Sequence, residues 1–276
     1  MEYLHNDIDK PNKLRKSSDE EVEAAAGLLE RIIGPGYFKK QVELLKESDP
    51  MGAGMGRYGH PPSVSPLAYI WLKAREELIY GEIGGGFRPG YASARLSELG
   101  KNLALLQHRN DLVQIIKLLA PEETFELAAL ALNVAAGCLK MDLFGNFCPD
   151  PDVNLICFEI KDKEAAGIYC SVWDAARPAA GDNMEQAFPA ITPGKPQLVI
   201  LYVGVTADRD VNLEGRHLSQ TAQLWLAGPG RTAKAVVLSQ GRLASGKSGL
   251  TFFRHSHVIK NPAPDVKFNF EIYVPT

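Results

Sequence analysis

Up to about residue 140 the apolar side chains recur at helical spacing, and after residue 150 they alternate or run in short β-type blocks. Spacings of three and four gather side chains on one face of a helix, while a period of two lines one face of a strand. The punctuation agrees with this division. Ser18-Asp19-Glu20-Glu21 has capping-box spacing and opens a helix that Gly34-Pro35-Gly36 stops. A second helix is predicted over 37–47, and Ser65-Pro66 opens a third that runs to about Tyr80, with the serine as cap and the proline in the first turn. Helices over 92–106 and 111–119 follow, and Pro121 starts an alanine- and leucine-rich helix to about Leu139. Gly/Pro-rich composition predicts loops over 49–62 and 84–90. A short strand near Met141 and strands over 153–161, 167–173, 197–205, 233–239, 250–258 and 267–273 make up the second half, with an amphipathic helix from about Leu213.

This order predicts an α+β protein in three parts. Residues 1–17, with Lys10, Lys13, Arg15 and Lys16, form a basic arm; residues 18–120 form a helical region; residues 121–276 form a mixed α/β domain with a central sheet. With 276 residues the chain is long enough for one large domain or two ordinary ones.

Composition narrows the functional classes only a little. The formal charge of −3 excludes a globally basic nucleic-acid binder but leaves room for a local basic face. No apolar run approaches the roughly 18 residues that span a bilayer, and the first residues lack the basic-then-apolar order of a signal peptide. Cys138, Cys148, Cys157 and Cys170 show neither CxxC pairing nor zinc-finger spacing, so they read as reduced thiols. Together these features predict a cytoplasmic protein.

The stretch that points most clearly to chemistry is Cys148-Pro149-Asp150-Pro151-Asp152, followed by a β-type run that ends in Glu159-Ile160-Lys161. Alternate residues of a strand share a face, so Glu159 and Lys161 project together, with Asp150 or Asp152 at the strand's entry. Carboxylates are the hard ligands that Mg²⁺ prefers, and a metal so held activates water and stabilises charge on a phosphate while a lysine positions the nucleophile. These residues, together with the order of elements over roughly 121–240, resemble the αβββαβ core of the PD-(D/E)xK nuclease superfamily. The resemblance implies a metal-dependent endonuclease of the restriction or defence type acting on DNA. In it Asp150, Asp152 and Glu159 would hold Mg²⁺ or Mn²⁺, and Lys161 would assist the water. Glu126, in Thr124-Phe125-Glu126-Leu127, would be the family's helix carboxylate at the metal. The helical region would clamp the duplex, and a homodimer would suit the layout.

Other readings stand beside this one. About two (D/E)xK triplets are expected by chance in such a chain, and Asp265-Val266-Lys267 is a second. If 153–161 is the family's second strand, the triplet belongs on the next strand, where Ser171 and Trp173 replace the acid and the lysine. The chain would then be a nuclease-like protein without activity, or an assembly protein whose charged strand end is merely solvated. Gly241-Arg242-Leu243-Ala244-Ser245-Gly246-Lys247-Ser248 matches a Walker A motif, but the strand-type residues after it favour a hairpin turn over a phosphate-binding loop. His255-Ser256-His257 puts two imidazoles on one strand face without an evident third zinc ligand.

Overall fold

The computed structural model describes residues 19–47, 63–83, 90–148, 156–160, 167–174, 199–206, 216–228, 230–231, 233–246 and 249–261. The helices are α1 (Asp19–Ile33), α2 (Pro35–Glu47), α3 (Pro66–Ile83), α4 (Tyr91–Leu106), α5 (Leu112–Lys117), α6 (Glu122–Lys140) and α7 (Arg216–Ala227). The strands are β1 (Phe144–Cys148), β2 (Ile156–Ile160), β3 (Gly167–Asp174), β4 (Val199–Thr206), β5 (Ala233–Gly246) and β6 (Gly249–Lys260). The chain is thus α+β, as the residue pattern predicts, and the predicted elements recur with shifted ends. Ser18 of the capping box, and the strand expected over 267–273, lie outside the described residues.

Local chemistry explains where the helices start and stop. Gly34 ends α1 in a left-handed conformation, φ 101°, and its N–H donates to the Glu30 carbonyl at 2.9 Å. Pro35 then opens α2, because a first-turn residue needs no N–H. Ser65 caps α3 as expected, its Oγ accepting the Ala68 N–H at 3.1 Å. The cap of α4 comes from another helix: Glu77 Oε2, on α3, accepts the N–H groups of Gly90 and Ser93, each at 3.0 Å. A negative charge is favoured at this end of a helix. A side chain on Gly90 would collide with that carboxylate, so the close approach depends on glycine here.

The six strands among the described residues join one sheet in the order β1-β2-β3-β4-β5-β6. β1, β2 and β3 form an antiparallel meander, β3, β4 and β5 run parallel, and β6 returns antiparallel to β5. α6 packs on β1 to β4 and is buried on almost every side, which accounts for its Ala/Leu composition. α4 lies between α1, α3, α6 and β6, and α7 packs on β5 and β6. One hydrophobic cluster joins Val22, Phe38, Leu67, Leu99, Phe125 and Ala135 to Phe147, Ile168 and Val237. The helices on both sides of residue 120 thus share one core with the strands, and the change from helix to strand comes only after α6.

Two sequence expectations need correction. The short strand near Met141 begins instead at Phe144, because residues 141–143 close α6. Asp142 is left-handed (φ 61°), and the Leu143 N–H reaches back to the Cys138 carbonyl at 2.9 Å. The strand expected over 233–239 extends to Gly246, because pairing with β6 continues as far as Gly246 opposite Gly249.

A polar clasp ties the α4–α5 connection to β1. Arg109 forms an ion pair with Asp111 at 3.1 Å and donates to the Gly145 carbonyl at 2.5 Å, while Asp111 Oδ2 accepts the Phe147 N–H at 2.7 Å. Burial alone would push the Asp111 carboxyl up, but Arg109 and the Phe147 N–H outweigh it and hold the carboxyl below its ordinary value. A group with a depressed folded pKa stabilises the fold above its unfolded value of 3.8, and that contribution is lost as pH falls through the folded value. Asp111→Asn is therefore expected to lower stability by about 1–2 kcal/mol at neutral pH. Denaturation of both proteins across the acid range should show the gap narrowing below pH 4.

Candidate functional site

The most unusual chemistry lies where α4, α6 and β6 meet. Arg95 on α4 is completely buried, yet carries a charge that no protein environment removes. It forms ion pairs with Glu98, one turn on, at 2.6 Å, and with Glu126 on α6 at 2.7 Å. Arg254 on β6, its side chain 6% exposed, reaches the other oxygen of Glu98 at 3.2 Å. The order Glu126–Arg95–Glu98–Arg254 alternates in sign and is neutral overall. The Arg95 guanidinium also lies over the Phe252 ring at 4.3 Å and near Phe125 at 5.6 Å. Tyr91, one turn before Arg95, is close enough to feel all four charges, and burial pushes its phenol above the ordinary value.

Chemically this cluster is a rivet: each of its carboxylates is engaged by a guanidinium. Its signal in the sequence is faint. Tyr91, Arg95 and Glu98 share a helical face by their spacing of three and four, inside a run of Ala, Leu and Ser that otherwise reads as core. Phe252 and Arg254 alternate on a strand with nothing to connect them to α4.

The predicted site residues are distributed differently from the expectation. Glu126 belongs to the buried cluster, near the start of α6. Glu159 is exposed on β2, opposite Gly167, and its carbonyl lies 2.9 Å from where a Cβ on Gly145 would sit. Gly145 follows shortly after the far end of α6. Glu126 and Lys140 are fourteen positions apart along α6, which is about 21 Å of rise. The strand register places them apart as well. Phe252, beneath Arg95, pairs with Leu243, whereas the row of Glu159 runs through Gly167 and Val199 to Ala233, at the other end of β5. Both carboxylates would have to lie within about 2.1 Å of one Mg²⁺ to share it, so Glu126 and Glu159 do not converge. Asp150, Asp152 and Lys161 lie outside the described residues.

On the next strand, Ser171 is buried and pairs with Val203, and Trp173 pairs with Val205. The Walker-like stretch ends β5 and turns into β6, with Gly246 opposite Gly249, so no helix follows it. His255 and His257 pair with Gln240 and Leu238 on β5. Among the described residues no group of three or more His, Cys, Asp or Glu is placed to hold a metal, and no helix is long and apolar enough to cross a membrane.

No protein-family model and no curated protein matches this chain. Its function is therefore argued from its own residues, since a fold by itself carries no activity.

Proposed function

We propose that this chain is a nuclease-like scaffold that acts by binding or assembly and not by metal-dependent hydrolysis. The observation that carries this reading is the pairing of Glu126 with buried Arg95, at the end of α6 remote from Glu159. The carboxylate that the PD-(D/E)xK resemblance would assign to the metal is occupied by a fixed cation. Ser171 and Trp173, on the strand after β2, add support, because neither can supply the acid or the lysine of the triplet. The order α6, β1, β2, β3 supports the nuclease-like scaffold itself.

A second reading, the DNA endonuclease, is favoured by the exposure of Glu159 at the end of β2. In that reading Asp150, Asp152 and Glu159 hold Mg²⁺ or Mn²⁺ beside Lys161, and Glu126 takes no part. Incubating supercoiled plasmid with either metal, using wild type and Glu159→Ala, separates the two. The scaffold reading expects no metal-dependent nicking by either protein. Nicking by wild type that disappears in the variant would overturn it and establish the endonuclease.

A further inference from the structure

All four cysteines of the chain fall on one helix and three neighbouring strands: Cys138 on α6, Cys148 on β1, Cys157 on β2 and Cys170 on β3. They separate into two kinds. Cys170 is buried with its register partner Ile156 in the core cluster that also holds Cys138. Burial pushes the Cys138 thiol up to about 12 and the Cys170 thiol well above its ordinary value, so neither readily supplies the thiolate that reacts. Cys157 follows Ile156 and so faces away from α6, and it is only half-buried. Its Cα partner across the β1–β2 pair is Cys148.

Directly opposed residues on antiparallel strands have Cα atoms about 4.5 or 5.5 Å apart, according to whether the pair is hydrogen-bonded. Both separations fall inside the range of about 4.4–6.8 Å that a disulfide spans. The two cysteines also flank residues 149–155, the connection that carries Asp150 and Asp152. A bond between them would close that connection into a ring at its foot.

We propose that Cys148 and Cys157 are a redox modification site, forming a reversible cross-strand disulfide with a hydroperoxide as oxidant. The Cys157 thiolate attacks the peroxide, the O–O bond breaks, and the alkoxide takes up a proton and leaves as alcohol, giving a sulfenic acid. The Cys148 thiolate then attacks that sulfur, the S–O bond breaks, and the hydroxide takes up a proton and leaves as water. Two thiols and one hydroperoxide thus yield one disulfide, one alcohol and one water. Two electrons pass from sulfur to oxygen, and a dithiol reductant reverses the change.

The test uses the full reduced chain, titrated with hydrogen peroxide, alkylated, cut on the N-terminal side of Asp150 and Asp152, and mapped by mass spectrometry. The expected result is a two-fold drop in alkylatable cysteines, from the four present to Cys138 and Cys170. The fragments carrying Cys148 and Cys157 should stay joined until reduced, and Cys157→Ser should abolish the joined species. Full alkylation of all four, bonds between separate chains, or a bond to Cys138 or Cys170 would each overturn the proposal. The wild-type map decides by itself, so a poorly folding variant does not shield it.

Discussion

Arg95→Ala is expected to cost about 3–5 kcal/mol of folding stability, the range for removing one partner from a buried ion pair. Most of this loss comes from what remains. Arg95 has no exposed side-chain surface, and its removal takes the guanidinium away from Glu126 and leaves Glu98 its pair with Arg254, in side chains only 19% and 12% exposed. The cavity beside Phe252 and Phe125 adds to it. Equilibrium denaturation gives the number, and a loss below about 1 kcal/mol would show that the cluster is not what fastens α4 to α6 and β6. Glu126→Gln combined with Arg95→Met makes the comparison specific, since residues in one ionic network are expected to couple by about 0.5–3 kcal/mol. The same variants bear on function. Destabilisation by Glu126→Gln should be equal with and without Mg²⁺, whereas a metal ligand would lose its effect when the ion is withheld.

The second large effect is expected at Gly100, where α4 crosses α1. A Cβ there would fall 2.8 Å from Ala25 Cα and closer still to its Cβ. The obstacle is a helix backbone with its first carbon, which no rotamer change relieves. Gly100→Val is therefore expected to destabilise the fold by about 3 kcal/mol, through forced separation of the two helices. Gly27 on α1 is the control, since an added Cβ there meets nothing within 4 Å. Gly27→Ala should stabilise by about 0.5–1 kcal/mol, the ordinary gain in a helix interior. Thermal melts of the two variants should move in opposite directions. If both fell, the space beside Gly27 would be closed to a methyl group and the contrast between the two glycines would not hold.

Several elements are legible in the sequence because their causes are local. Gly34 ends α1 in a conformation that glycine favours by itself, while α2 opens at Pro35, ahead of its expected start at 37. Ser65 caps α3 with its own hydroxyl. The Gly246 to Gly249 turn is readable from the β-type residues on both sides, which is why a letter-perfect phosphate-loop motif could be set aside. The α4 cap was not legible, because its acceptor, Glu77, comes from a different helix.

The candidate site divides along the same line. Chain order put Asp150, Asp152, Glu159 and Lys161 close together in sequence, and alternation put Glu159 and Lys161 on one strand face. Neither could say which end of α6 would meet which end of the sheet. That depends on strand register and helix direction, and these set Glu126 beside Arg95 and Arg254, far from Glu159. The sequence alone determined the α+β class, most helix and strand positions and the hairpin, because propensities, caps and turns act over a few residues. Only the tertiary structure decided which charges share a site. Arg95, Glu126 and Arg254 are brought together by packing across more than 150 positions of chain, and that distance leaves no local trace.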